Sequence, residues 1–345
     1  MSVRKNEMKA ISILFVLVLS VGVVQGQKDW RTVTTNVTAS FRGLSVVDDQ
    51  VAWLSGSQGW VGVTQNGGTD WTFKQVEGFD KMDFRSLYAF DANRAIIANA
   101  GSPASILITN DGGNTWKEVY RNEKKEAFFD GIDFWNDKVG MIYGDPIDGK
   151  MLLAKTEDGG HTWKELPDAS RPELQSGEAS FAASGTGIRC IGDQTLLITT
   201  GGTTSRVFSS PNQGSSWTTL AAPIVQGKSS TGIFSIGAEE QHWIIVGGDF
   251  EKDTLRTNHV FFSRDGGRNW HAPERPTGGY RECVEFVEAN TALAVGPGGA
   301  DITRDGGATW QPLADAEGIH VVRKARKGKL IIMAGGKGKI KVYRP

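Results

Sequence analysis

A short motif returns six times along this chain and always closes on tryptophan. Its copies are Thr64-Gln-Asn66-Gly-Gly68-Thr-Asp-Trp71, Thr109-Asn-Asp111-Gly-Gly113-Asn-Thr-Trp116, Thr156-Glu-Asp158-Gly-Gly160-His-Thr-Trp163, Ser210-Pro-Asn212-Gln-Gly214-Ser-Ser-Trp217, Ser263-Arg-Asp265-Gly-Gly267-Arg-Asn-Trp270 and Thr303-Arg-Asp305-Gly-Gly307-Ala-Thr-Trp310. The shared pattern is a hydroxyl, any residue, Asp or Asn, any residue, Gly, two more residues and Trp. A motif recurring at such a period marks an array of like units, each of which buries its faces only against its neighbours. The repeat therefore overrides the two domains that a length of 345 residues would suggest.

Each copy follows a short apolar run, such as Ile106-Leu-Ile108 or Val260-Phe-Phe262. The Asp-Gly-Gly or Asn-Gly-Gly centre supplies the positive φ angles of a tight hairpin. The acidic or amide oxygen and the hydroxyl can accept backbone N–H groups of the turn, and the Trp opens the returning strand. Asn66 and Asn212 keep the acceptor and lose the charge, so the position asks for a hydrogen bond rather than a carboxylate. That makes it turn structure rather than a catalytic or metal site. The second Gly is present in all six copies, whereas Gln213 replaces the first in the fourth. The strict backbone demand falls on the second.

These residues resemble the Asp-box (BNR) repeat of β-propellers, a motif of sialidases, other glycoside hydrolases and non-enzymatic propellers. The Trp-to-Trp spacings are 45, 47, 54, 53 and 40 residues, close to one four-stranded blade. Beyond Trp310 the runs Leu330-Ile-Ile-Met333 and Lys339-Ile-Lys-Val-Tyr343 read as strands, while Asp29-Trp30 repeats the end of the first box. The expectation is an all-β, seven-bladed propeller over residues 27–345, its last blade closed by both chain ends.

Residues 1–26 read as a secretory signal. Arg4, Lys5 and Lys9 form the basic start, Ile11 to Val24 an apolar core too short to span a membrane, and Val24-Gln-Gly26 a small-residue cleavage site. A periplasmic or extracellular protein starting at Gln27 is expected, with no membrane span in the mature chain. Cys190 and Cys283 are too few for a disulfide framework, and their placement in non-adjacent blades argues against a bridge. A net charge of −1 argues against nucleic acid.

In a four-stranded blade the box joins the third and fourth strands. The second-to-third and blade-to-blade connections emerge on the opposite face, where binding residues belong. Phe41-Arg42-Gly43, Phe84-Arg85-Ser86 and Tyr280-Arg281-Glu282 share an aromatic-Arg pattern at the start of inner strands, with Asp130 and Glu178 at matching places. Asp145, Arg206 and Asp249 lie in the second-to-third connections. Together Arg42, Arg85, Asp130, Asp145, Glu178, Arg206, Asp249, Arg281 and Glu282 form the expected ligand mouth. The two longest spacings put surplus residues around 171–189 and 250–259, where recognition loops are expected.

At Gly144-Asp-Pro-Ile-Asp-Gly149, Gly177-Glu-Ala-Ser-Phe-Ala-Ala-Ser-Gly-Thr186, Gly232-Ile-Phe-Ser235, Val246-Gly-Gly-Asp249, Gly279-Tyr-Arg281 and Val295-Gly-Pro-Gly298 the chain resembles an exported bacterial propeller family related to the photosystem II assembly and stability factor. The resemblance implies a monomeric, non-catalytic propeller that binds a protein through an arginine-bearing face, with Arg42, Arg85 and Arg281 as candidates. Nothing in the sequence ties the chain to a photosynthetic source.

The alternative is a glycoside hydrolase with Asp145, Glu178 and Asp249 as candidate carboxylates and a carbohydrate ligand at the same mouth. A sialidase fits poorly, because Phe41-Arg42 continues into Gly43-Leu44 rather than Ile-Pro. An oxidoreductase fits worst. The Gly-Gly pairs belong to hairpins, His161, His242, His259, His271 and His320 stand singly, and no Cys-x-x-Cys-His attaches haem. No metal or cofactor is expected, although sequence does not address a quinone.

Overall fold

A computed structural model describes residues 30–344. The signal at 1–26 and the start at Gln27 lie outside the described residues. Seven antiparallel sheets follow one another along the chain. Blade 1 is built from Phe41–Val46, Ala52–Gly56, Trp60–Thr64 and Thr72–Gln75, and blade 2 from Phe84–Ala89, Ala95–Asn99, Ala104–Thr109 and Lys117–Asn122. Blade 3 takes Phe129–Phe134, Gly140–Ile147, Lys150–Thr156 and Lys164–Glu165, and blade 4 Ile188–Ile191, Thr195–Thr199, Arg206–Ser210 and Thr218–Ala221. Blade 5 takes Thr231–Glu239, His242–Asp249 and Val260–Ser263, and blade 6 Cys283–Glu288, Thr291–Gly296, Gly299–Thr303 and Gln311–Leu313.

The seventh blade takes its three inner strands, Ile319–Lys324, Ile331–Gly335 and Ile340–Tyr343, from the C-terminal end. Its outer strand is Arg31–Val33, directly after Trp30, with Arg31 opposite Val342 and Val33 opposite Ile340. Joining the chain ends in one sheet covers edges that would otherwise stand open. The second strands are buried almost throughout, as in Ala52–Gly56 and Ala95–Asn99. Each sheet packs both faces on its neighbours, so the strands read as continuous apolar runs rather than alternating ones.

Blade 5 departs from four full strands. Its fourth strand is reduced to a single bridge between Phe262 and His271. Two residues further on stands Pro273, which has no N–H to extend a ladder. On its inner edge this sheet gains two short strands, Gly201–Gly202 and Glu178–Ala179, from the chain between blades 3 and 5.

The six boxes share one hydrogen-bond pattern. The hydroxyl accepts the N–H of the second Gly at 2.8–3.0 Å in every copy. The Asp or Asn Oδ1 accepts the N–H of the residue before Trp at 2.8–2.9 Å. Asn66 and Asn212 do this as the aspartates do. Hydrogen bonds from Thr115 and Thr109 hold the Asp111 carboxyl down at about 2, and those from Asn269 and Ser263 do the same for Asp265. Backbone angle alone does not explain the invariant second Gly, since Gln213 itself stands at φ 54° in the first position. A Cβ on the second Gly would clash with the preceding blade at Gly68 (Val342) and Gly160 (Ile96) and crowd it at Gly113 (Trp53), Gly214 (Met141), Gly267 (Leu220, besides Trp243 of its own blade) and Gly307 (Ile244). The box glycine is where one blade touches the next.

Cys190 and Cys283 are free thiols. No helix among the described residues is long and apolar enough to cross a membrane.

Candidate functional site

The inner strands share an irregularity on the face opposite the boxes. Pairing with the second strand skips one residue between Phe41 and Gly43, Phe84 and Ser86, Phe129 and Gly131, Ile233 and Ser235, and Ile319 and Val321. The skipped residues are Arg42, Arg85, Asp130, Phe234 and His320. A bulge frees a side chain from the ladder and re-aims it, and here it does so for one residue in each of five blades, 1, 2, 3, 5 and 7.

In blade 6 the ladder's register shift falls farther along, between Phe286 and Glu288, and the entry to its inner strand is offset by one residue from the aromatic-Arg pattern. A Cβ on Gly296 would meet the Tyr280 carbonyl and Arg281 Cα, just as one on Gly56 would meet the Ser40 carbonyl and Phe41 Cα. Arg281 therefore occupies the place of Phe41, and Glu282 the place of Arg42. Arg281 is buried, with Nε and Nη2 on Asp301 Oδ2 of the same blade at 2.8 and 2.5 Å and Nη1 on the Tyr280 carbonyl. A one-residue slip moves a side chain to the other face of a strand. Arg281 thus stands apart from Arg42 and Arg85.

Arg42, Glu282 and His320 form one constellation at this far mouth. Glu282 Oε2 accepts Arg42 Nη1 at 3.1 Å and faces His320 Nδ1 at 2.6 Å, while Tyr280 Oη donates to Oε1 at 3.3 Å. Burial pushes the Glu282 carboxyl up, and the His320 and Arg42 contacts outweigh it, so the net direction is down.

The chain leading into blade 4 runs across the mouth as a strap. Its Ala183 carbonyl accepts Arg42 Nη1 at 2.7 Å, and its Ala182 carbonyl faces Arg85 Nη1 at 3.5 Å. Ser184 Oγ donates to the Glu282 carbonyl, and Thr186 Oγ1 to Ser235 Oγ. Contacts to blades 1, 2, 5 and 6 thus fix the five residues from Ala182 to Thr186. Arg85 is also paired with Asp83 at 2.7 Å.

Glu178 anchors the start of the strap and is itself fully engaged. Arg206 grips it with Nε at 2.9 Å and Nη2 at 2.5 Å, Thr200 Oγ1 donates at 2.6 Å, and the Gln175 N–H at 2.9 Å. Asp145 Oδ1 accepts the Ser180 N–H at 3.0 Å, and burial raises its carboxyl. Asp249 is buried and accepts the Glu251 N–H at 3.0 Å. Asp130 is fully buried with neither oxygen hydrogen-bonded among the described residues. Burial, reinforced by the nearby Asp145 charge and opposed by Arg85, raises its carboxyl well above the ordinary range.

The structure therefore joins Arg42 with Glu282, Glu178 with Arg206, and Asp130 with Asp145. Asp249 and Arg281 stand apart. Sequence reasoning missed an aromatic set beside them: Phe181 of the strap stacks on Phe234 at 3.8 Å, and Phe234 meets Tyr280 and Phe250 edge-on at 4.7 and 6.3 Å. Phe250 and Leu255, in the surplus loop of blade 5, are 49% and 37% exposed, in contrast to the buried large apolar side chains around them. The available signal was apolar residues inside a long polar loop. Among the described residues no group of three or more His, Cys, Asp or Glu is placed to hold a metal ion.

Comparison with known proteins agrees with this architecture. Residues 23–125 and 100–173 match the family described as photosynthesis system II assembly factor YCF48, and residues 261–272 match the BNR/Asp-box repeat. A curated relative, the photosystem II assembly lipoprotein Ycf48 of Synechococcus sp. (strain CC9902), is 26% identical over 125 residues. That alignment covers 33% of this chain and 37% of the relative, little more than a third of its length. Among solved structures, YCF48 bound to D1 peptide aligns with TM-score 0.63 at 18% identity, covering 92% of this chain and 97% of the other. The GH74 xyloglucanase of Xanthomonas campestris aligns with TM-score 0.61 at 16% identity, covering 91% of this chain and 53% of the other. Both likenesses are of fold. The chain is a BNR-repeat propeller related to the photosystem II assembly factor.

Proposed function

We propose that this chain is an exported, monomeric, non-catalytic binding propeller of the assembly-factor kind, which captures a segment of a protein partner at the far mouth. The observation that carries the reading is the contact of exposed Phe250, in the same loop as exposed Leu255, with Phe234 of the aromatic set, which the strap links to the Arg42 and Arg85 guanidiniums. Aromatic and arginine side chains at one rim are what protein recognition selects. The Ycf48 relative is named as an assembly lipoprotein, and a related propeller was solved with a peptide bound. Both support the same choice.

The carboxylates that a hydrolase would need are committed elsewhere. Glu178 is held by four donors, Asp249 is buried in its own turn, and Asp145 is tied to the strap. A glycosidase needs one carboxyl free to protonate the leaving group and a second facing the sugar.

The test is photo-crosslinking in the source cells, with a photoreactive residue at position 250. A discrete protein adduct is expected, weakened when Arg42 and Arg85 are both changed to Gln. Adduct formation no different from that of a probe at Lys117 would sink the reading. Turnover of oligosaccharides lost in Glu178→Gln would move the assignment to a hydrolase.

A further inference from the structure

The other end of the channel holds a second, unassigned site. The C-terminal halves of the inner strands line a cavity of about 220 Å³ on the box side, reached by side chains from all seven blades. Four cations border it, Arg189, Arg323, Lys324 and Arg326, against two carboxylates, Asp133 and Glu285. Both carboxylates are occupied. Glu285 Oε2 takes Arg189 Nη2 at 2.9 Å and Arg323 Nη1 at 3.2 Å, and Asp133 accepts the N–H groups of Cys190 and Phe134.

Arg326 has neutral hydrogen-bond partners instead. It donates to Ser45 Oγ at 2.9 Å and to the Ala89 carbonyl, and lies over the Tyr88 ring at 4.4 Å. Lys324 has no side-chain hydrogen bond or ion pair among the described residues. Two positive charges are thus left over in a walled cavity, where low-dielectric surroundings strengthen their pull on an anion. The size falls below that of a drug-sized pocket and suits a small multivalent oxyanion.

We propose that this box-side cavity binds a small free oxyanion of the phosphate or polycarboxylate class, with Lys324 and Arg326 as its charged anchors. The anion offsets the charge surplus and bridges blade 7 to blades 1 and 2, which Arg326 already clips together. Binding to the folded form raises thermal stability by mass action. The site is separate from the far mouth and does not depend on the partner reading above.

Calorimetric titration of the full mature chain with inorganic phosphate and with citrate, in low-salt buffer, tests this. At least one anion should bind saturably, with affinity falling as sodium chloride is raised. Lys324→Gln should weaken it about tenfold, the loss of one charge-assisted contact, and Lys324→Glu should abolish it. Melting curves show whether each variant is folded, and Lys117→Gln, at an exposed position on the outer strand of blade 2, should leave the affinity unchanged. No saturable binding of either anion, equal affinity in Lys324→Gln, or an equal loss in Lys117→Gln would overturn the proposal.

Discussion

Arg42 of blade 1 and Glu282 of blade 6 meet at 3.1 Å across the width of blade 7, whose His320 lies 2.6 Å from the same carboxylate oxygen. Glu282 and the bulged Arg42 and His320 thus tie three blades at the far mouth. Because the Glu282 carboxyl is lowered in the fold, its contribution is present above the ordinary value of 4.5 and is lost as pH falls through the folded value. Glu282→Gln should cost about 2–4 kcal/mol at neutral pH by leaving Arg42 without its carboxylate. The difference from wild type should shrink below about pH 4.5. Denaturant melts at pH 7 and pH 4 measure it, and a difference independent of pH would contradict the assignment.

Asp130 carries the opposite sign. Its carboxyl is raised well above 3.8 by burial, so its stabilising state is the protonated one. That contribution is complete below the unfolded value and is lost as pH rises through the folded value. Asp130→Asn removes the titration and keeps the shape. The variant should be more stable than wild type by about 1–3 kcal/mol at neutral pH, with the gain vanishing toward pH 4. Parallel pH profiles for the two proteins would show that the buried oxygens are satisfied in solution.

How much of this was legible in the sequence follows from period and side. The six boxes specify blade count and closure because each restates the same turn chemistry, and Trp30 marks the outer strand of the seventh. The far mouth was legible as a face, since strand alternation dictates which connections share it. Its register was not. Tyr280-Arg281 imitates Phe41-Arg42, but Glu282 takes the place of Arg42, and only the approach of Gly296 to Tyr280 and Arg281 reveals the offset. The contacts of Ala182 and Ala183 with Arg85 and Arg42 span 97 and 141 residues through backbone carbonyls. No side-chain pattern encodes them. His320 and Phe234 likewise become visible only once the bulges are aligned.

The Glu178–Arg206 pair is expected to act as the strap's clasp. Arg206→Ala would strand a fully buried carboxylate, since the Glu178 side chain has 0% exposure, at a cost of about 3–5 kcal/mol. Adding Glu178→Gln should recover part of that loss, because an amide tolerates burial better than an uncompensated charge. Hydrogen exchange should show the loosening confined to residues 174–187 in the single variant. Faster exchange spread evenly over all blades would indicate a general loss of stability instead.

The box glycine offers a paired test of packing against backbone angle. Gly160 stands at φ 90°, and a Cβ there would lie 2.0 Å from Ile96 Cδ1 of the preceding blade. Gly149 stands at φ 77° in the turn between the second and third strands of blade 3, with nothing within 4 Å of the same atom. Gly149→Ala should therefore cost only the left-handed penalty, about 1–2 kcal/mol. Gly160→Ala adds overpacking at the blade interface, about 1–3 kcal/mol more. Combining Gly160→Ala with Ile96→Val, which removes the obstructing methyl, should return part of the excess and leave the backbone share. Equal costs for the two alanine variants would mean that the glycine is kept for its turn and not for the neighbouring blade.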